Sequence, residues 1–287
     1  MVLNPDNHSV CCPDRKQLST GRQENDFMRR IFILLFILIL YPIDCCYSDT
    51  DLPKESTVKV LLYHNVTAAV TDQNNPYVVP LAEFEEQIRW LKQNGYECLT
   101  VSEMFQRFSE GEITGKTAVI TFDDGYPDVY TYAFPVLSVY GFPATTYLVA
   151  SKIDSPKNLT AEMIRNLYDA EWEIGSHSMT HSDLMNHDDL DAEICGSRNL
   201  ISSMTGIPLS DVVSFAYPYG NADEIVITKV WKCGYLSGAG LGQIPVSASQ
   251  NPCYFSRHPV TSDMTLEDFT ALFLPGDEKC TRTTETF

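Results

Sequence analysis

Positive charge is scarce in this chain. Its 287 residues carry 20 Lys and Arg against 38 Asp and Glu, a formal net charge of −18. Phosphate backbones are held by basic faces, so a general nucleic-acid binder is excluded. The acidity reads first as solubility, and second as a preference for neutral or cationic polymer. Paired cysteine motifs are also missing. Of nine cysteines, Cys98, Cys195, Cys233, Cys253 and Cys280 follow residue 50, and none forms C-x-x-C. An odd number at wide spacing excludes a disulfide framework and a cysteine zinc site. Buried free thiols are expected, with one bridge, Cys233 to Cys253, as the candidate in an oxidising compartment. No repeat and no low-complexity linker follows residue 50.

Long apolar runs are limited to one, "IFILLFILIL" at 31–40, behind Arg29 and Arg30. Ten residues are short for a bilayer span and suit the h-region of a signal peptide. Met28 stands just before the arginines, so translation starting there would make residues 1–27 upstream sequence. Cys45 or Cys46 offers a lipidation point, although Asp44 fits that pattern poorly; retention as an anchor, aided by Tyr41 and Ile43, is the alternative. Each version predicts export: periplasmic, cell-surface or secreted, with membrane association through this segment. The division expected is 1–50 upstream and signal or anchor, 51–274 functional domain, and 275–287 flexible tail.

Between these ends, strand-like and helix-like stretches alternate. "VKVLLYH" (58–64), "TAVITF", "ATTYLVA", "EWEIGSH", "VVSFAYP" and "YFSRHPV" read as strands. "LAEFEEQIRWLKQNG", "VYTYAFPVLSVYG", "LTAEMIRNLYDA", residues 188–205 and "ADEIVITKVWKCG" read as helices. Thr100 with Glu103 forms a capping box for a further helix, and Thr160 is a cap. In the first helix, Phe84, Ile88 and Leu91 are core positions. The alternation predicts an α/β fold with a parallel sheet, and the size suits a (β/α) barrel.

Polar residues gather at the strand ends. His64 ends the first strand, Asp123 and Asp124 end "TAVITF", His177 ends "EWEIGS" with His181 four residues on, and Tyr217 and Tyr219 end "VVSFA". In a parallel barrel those ends share one face, where active sites are built. Adjacent aspartates after a buried strand repel each other unless a cation intervenes. The two histidines of "HSMTH", at i and i+4 on a helical turn, can reach one metal. A carboxylate from another strand completes a His₂-carboxylate set with room for water, the catalytic pattern of zinc. The remaining aspartate is then free to act as a base. His64, on the same face, suits a general acid.

These residues resemble the polysaccharide deacetylases, carbohydrate esterase family four, with its NodB-like domain. "TFDDG" matches the first motif and "HSMTH" the second, H-[ST]-x-x-H. "FAYPYG" is similar to the third, and the likeness runs over about residues 57–262. The resemblance implies an α/β fold built as a distorted (β/α) barrel, TIM-like, of 7–8 strands, and removal of N-acetyl groups from an N-acetylglucosamine polymer. It implies Asp123 as base; Asp124, His177 and His181 as ligands of a divalent metal, Zn²⁺ or another transition ion; and the Tyr219 backbone N–H as oxyanion donor. It further implies Ser178 as a contact orienting a ligand. Tyr217, Tyr219 and Tyr126 either border sugar rings or pack the mouth.

Two departures stand out. Ala216 occupies the place where many members carry an arginine that braces the catalytic aspartate. "LLYHNV" near the start resembles the circularly permuted subgroup of poly-β-1,6-N-acetylglucosamine deacetylases, in which an early Tyr-His strand carries the acid. His64 is expected in that role, with His258 in "SRHPV" as competitor. Asn65-Val-Thr and Asn158-Leu-Thr are glycosylation sequons, and a glycan on Asn65 would crowd His64. Two rival functions are a catalytically silent glycan-binding module and an amidohydrolase for another small amide.

Overall fold

The computed structural model describes residues 57–68, 75–113 and 116–274. The expected signal or anchor segment and the expected tail lie outside the described residues. Within them no helix is long and apolar enough to cross a membrane.

Among the described residues the first element is β1 (Thr57–Tyr63), followed by a short parallel pair, β2 (Asn65–Thr67) and β3 (Val78–Pro80). Helix α1 (Leu81–Gln93) buries Phe84, Ile88 and Leu91 at helical spacing; each such side chain contributes about 1.5–3 kcal/mol by leaving water. After β4 (Glu97–Leu99), α2 (Val101–Glu110) starts at the expected capping box: Thr100 accepts from the Glu103 N–H, and the Glu103 carboxylate accepts from the Thr100 N–H. Gly111 ends that helix at φ 72°, a left-handed position where a Cβ is costly. Then follow β5 (Thr117–Phe122), α3 (Phe134–Tyr140), β6 (Thr145–Leu148), α4 (Ala161–Asp169), β7 (Glu173–Ser176), α5 (Ser197–Thr205), β8 (Ser214–Ala216), α6 (Glu224–Lys232), β9 (Ser237–Ala239), β10 (Val246–Ser247), β11 (His258–Pro259) and α7 (Leu266–Ala271). Thr160 caps α4, accepting from the Met163 N–H.

Two helices expected as uniform are not. Both the stretch before α3 and the stretch before α5 begin with a wider π turn, Val129–Ala133 and Asp191–Gly196. Such turns recur at functional sites.

The main sheet runs β10-β1-β5-β6-β7-β8-β9, with β4 added beside β5 and β11 beside β1. Only β10 is antiparallel; the ladders from β1 through β9 are parallel. Gly238 of β9 and Gly240 just after it bond to the segment 252–255, which continues into β11 against β1. The result is an α/β fold with a curled, half-barrel sheet.

Strand alternation sorts the side chains into two cores. Leu61, Tyr63, Ile120 and Phe122 join the large cluster with the helices, while Val58, Val60 and Val119 join a second cluster with Tyr147, Ala216 and Phe255. Along β5 the second set continues through Thr121 to Asp123. Asp123 therefore points away from the helical layer, on the side where Arg257 lies. All six residues of β5 are buried, as expected for a strand covered on both faces.

Candidate metal and active site

The site grows from the C-terminal ends of β1, β5, β7 and β8. Tyr63 pairs with Phe122 in the parallel register, and the Asp123 N–H donates to the Tyr63 carbonyl at 3.0 Å. The next residues, His64 and Asp123, thus emerge side by side. Asp124 follows at φ 68° and Gly125 also at φ 68°, a left-handed turn at the strand end.

Asp124, His177 and His181 offer ligand atoms that all lie within 4.8 Å of one another. His181 Nε2 is 3.6 Å from Asp124 Oδ1, and His177 Nε2 is 4.0 Å from the same oxygen. His177 Nδ1 sits 2.8 Å from the Ala216 carbonyl. A carbonyl only accepts, so the proton is on Nδ1 and the Nε2 lone pair faces Asp124. This is the tautomer that binds a metal. Burial holds the His177 imidazole below its ordinary range, against the pull of Asp123 and Asp124, which keeps that lone pair available. The donor set, two imidazoles and one carboxylate, fits a catalytic zinc-type ion.

Asp123 is only 3% exposed. Arg257 grips it with two bonds, 2.7 Å to Oδ1 and 2.8 Å to Oδ2. Burial would raise the Asp123 pKa, but the Arg257 guanidinium, with His177, outweighs it and holds the carboxyl at about 2. His177 Nε2 is 3.7 Å from Asp123 Oδ2. The brace that Ala216 cannot give therefore comes from a late segment instead. Arg257 is the neighbour of His258 and is not among the residues expected at the site; its one signal in the sequence is a fixed cation within the strand-like run "YFSRHPV".

His64 is packed on Tyr77, ring centroids 4.6 Å apart, with Nδ1 buried and unpaired among the described residues. Burial lowers its pKa, while Asp123 and Asp124 pull the other way, so it lies within the field of both carboxylates. His258 stands opposite Leu61, three residues behind His64, or ~10 Å down the strand. The charge that acts on it is Lys59. It is outside the cluster.

"HSMTH" is not a helical turn. Ser178 and His181 have φ of 65° and 67°, and Tyr219 has 60°. With Asp124, four of the eight non-glycine residues at positive φ among the described residues belong to this site, the clustering of strain expected where function constrains the backbone. Ser178 Oγ accepts from the His181 N–H at 2.9 Å, which bends the loop so that both imidazoles converge. Asn158 Nδ2 donates to the Asp124 carbonyl at 2.9 Å, and Asn65 Nδ2 to Asp128 at 3.0 Å. Both sequon side chains are thus engaged in bonds at or beside the site, a role sequence reasoning missed.

The tyrosines divide. Tyr217 is fully buried; its hydroxyl donates to the Cys253 carbonyl at 2.7 Å and its ring stacks on Tyr254. It is a core residue, which corrects its expected place at a sugar ring. The Tyr126 hydroxyl bonds Asp124, and burial together with that carboxylate pushes its pKa up to about 12. Tyr219 is 59% exposed, with its ring 4.8 Å from that of His181. The cysteine pairing also needs correction. Cys195 bonds to Cys233 across Cα atoms 4.9 Å apart, because the π turn 191–196 lies against the end of α6. Cys253 is in a disulfide as well, and Cys98 is a buried free thiol.

The polysaccharide deacetylase family model matches residues 110–237. YxkH of Bacillus subtilis (strain 168), whose name describes it as a polysaccharide deacetylase, is 30% identical over 210 residues, 72% of each chain. The chain belongs to the polysaccharide deacetylase family, hydrolases that act on N-acetyl amides. The poly-β-1,6-N-acetyl-D-glucosamine N-deacetylase of Staphylococcus aureus (strain MRSA252) is 24% identical over 272 residues, covering 83% of this chain and 94% of that protein. Among solved structures, BC0361, a polysaccharide deacetylase from Bacillus cereus, superposes with a TM-score of 0.68 at 28% identity, over 77% of this chain and 70% of that one. The matched family region holds both aspartates, both histidines and Tyr219. His64 and Arg257 lie on either side of it.

Proposed function

We propose that this deacetylase is an exported, metal-dependent enzyme that removes acetyl groups from an N-acetylglucosamine polymer, with a poly-β-1,6-linked exopolysaccharide as the leading substrate. The observation that carries the reading is one juxtaposition. A His₂-carboxylate donor set stands beside a second carboxylate kept ionised by Arg257, with His64 next to it on the neighbouring strand. The Staphylococcus aureus likeness supports the linkage, and the Cys195–Cys233 bridge supports an oxidising compartment. The curled sheet, read as a distorted (β/α) barrel, supplies the common face for these groups.

Asp124, His177 and His181 would hold the ion, Zn²⁺ by donor type. Bound there, it would supply Lewis acidity towards the acetyl carbonyl and the attacking water. The remaining steps belong to the chain. Asp123 accepts the proton of the attacking water. The Tyr219 backbone N–H donates to the developing oxyanion. His64, as imidazolium, protonates the sugar amine as the C–N bond breaks, releasing acetate and a glucosamine unit. Exposed Tyr219 and Tyr77 border the opening where sugar rings would lie.

The alternative of a silent glycan-binding module drew on Ala216, and Arg257 supplies what that position lacks. The test is acetate release from poly-β-1,6-GlcNAc, chitooligomers and peptidoglycan, with Asp123→Asn as control and metal content measured on the same sample. Release from the β-1,6 polymer by wild type alone is expected. Stoichiometric metal with no acetate from any polymer would overturn the reading.

A further inference from the structure

Glu193 is a carboxylate only 8% exposed, and burying a charge is costly unless its bonds are made. Among the described residues no Lys, Arg or His forms an ion pair with it. Its partners are instead the metal-site loop. Glu193 Oε2 accepts from the Thr180 N–H at 3.0 Å and Oε1 from the Thr180 hydroxyl at 2.6 Å; its own carbonyl accepts from the Met179 N–H at 2.9 Å. Met179 and Thr180 lie between the ligands His177 and His181. On the other side, the Ala150 and Ser151 N–H groups donate to the Ser178 and Met179 carbonyls at 3.1 and 3.0 Å. A loop held in strained, left-handed conformations at Ser178 and His181 is thereby clamped from two directions.

Glu193 is itself anchored. It sits in the π turn Asp191–Gly196, two residues before Cys195, which is bonded to Cys233 at the end of α6. The Ile194 carbonyl accepts from the Ser197 and Tyr235 hydroxyls at 2.8 and 3.1 Å, and Asp191 pairs with Lys229. We infer that Glu193 is a positioning residue for the metal site, and that the Cys195–Cys233 disulfide acts on metal affinity through it. Oxidation state in the compartment would then set how firmly the ion is held, although neither cysteine is a ligand.

The inference rests on the metal reading above. Wild type, Glu193→Ala and Glu193→Gln are prepared with and without the paired Cys195→Ala and Cys233→Ala changes. Zn²⁺ affinity is measured by competition with a chromophoric chelator, ligand geometry by the visible spectrum of the Co²⁺ form, and folding by the melting of the metal-free protein. Glu193→Ala is expected to weaken Zn²⁺ roughly tenfold or more, the size usual for groups that orient ligands, and to alter the Co²⁺ spectrum. Glu193→Gln, which can still accept from the Thr180 N–H, is expected to stay near wild type. Loss of the disulfide is expected to weaken Zn²⁺ in the wild-type background and to add nothing to Glu193→Ala. Should Glu193→Ala fail to fold, Thr180→Val replaces it. Affinity within twofold of wild type for the folded variant, or equal disulfide effects in both backgrounds, overturns the inference. A wild-type chain that takes up neither ion overturns the metal reading instead, so the two failures are told apart.

Discussion

Arg257 and Asp123 face each other inside the curled sheet as a planar, two-bonded pair, 2.7 and 2.8 Å, both almost wholly buried. They are 134 residues apart in sequence. Arg257 also reaches Thr121 at 3.3 Å, and its guanidinium lies over the Tyr147 ring at 5.2 Å. The pair orients the carboxylate and keeps it charged, which is what the proposed base requires. Guanidinium geometry matters here, because a lysine offers a point charge and no fork.

Arg257→Lys should therefore fold but lose turnover, roughly 10-fold or more in kcat with little change in KM, since the base is misaligned while substrate contacts remain. Arg257→Ala should instead cost about 3–5 kcal/mol in stability, because Asp123 is left as an unpaired buried charge. Steady-state kinetics on an acetylated oligomer and urea melts of the two variants check both outcomes. Unchanged kcat in Arg257→Lys would show that the pair serves only the fold.

His64 and His258 make opposite predictions although both stand on adjoining strands. His64→Ala should lower kcat by roughly 10²–10⁴, the range for a lost general acid. His258→Ala should stay within a few-fold, because it lies beside Lys59 and Leu61 rather than the carboxylates. The reverse pattern in the same acetate-release assay would move the acid to the late strand.

Much of this site was legible in the sequence because its parts are local. Apolar strands ending in His64, Asp123–Asp124 and His177 marked one face, and the capping residues Thr100 and Thr160 marked helix starts that the structure shows. What escaped was non-local or depended on backbone hand. No local pattern ties Arg257 to Asp123. "HSMTH" has the spacing of a helical face, yet left-handed Ser178 and His181 bring the imidazoles together by a loop. Tyr217 ends a strand at the mouth but turns inward to the Cys253 carbonyl. The pairing of Cys195 with Cys233 follows from how the π turn meets α6, which composition does not encode.

Metal should appear in the melting temperature. An ion that binds only the folded chain stabilises it by about 2.7 kcal/mol at a hundredfold excess over Kd. Stripping with a chelator should lower Tm, and restoring Zn²⁺ should return it. Asp124→Asn and His181→Ala should remove most of that increment, and Asp123→Asn should keep it, because Asp123 is outside the donor set. Calorimetry of each protein with and without ion checks this. An increment that survives loss of His181 would put the ion elsewhere.

Asp128 gives a pH signature independent of metal. It is half-buried, with Oδ1 unpaired among the described residues, and burial pushes its pKa from 3.8 up to about 6 despite the bond from Asn65. Between those two values the folded chain binds more protons at this group than the unfolded chain does. Stability therefore falls as pH rises through that window, and the penalty is fully present above about 6. Asp128→Asn keeps an acceptor for Asn65 and removes the charge. It should be more stable than wild type at pH 7–8 by about 1–2 kcal/mol after discounting for partial solvent screening, or several degrees in Tm. The advantage should shrink through pH 5 and vanish near pH 4, where the wild-type carboxyl is protonated in both states. Thermal melts of both proteins from pH 4 to 8 give the difference directly, and a gap that stays constant across that range would mean that Asp128 titrates as an ordinary surface carboxylate.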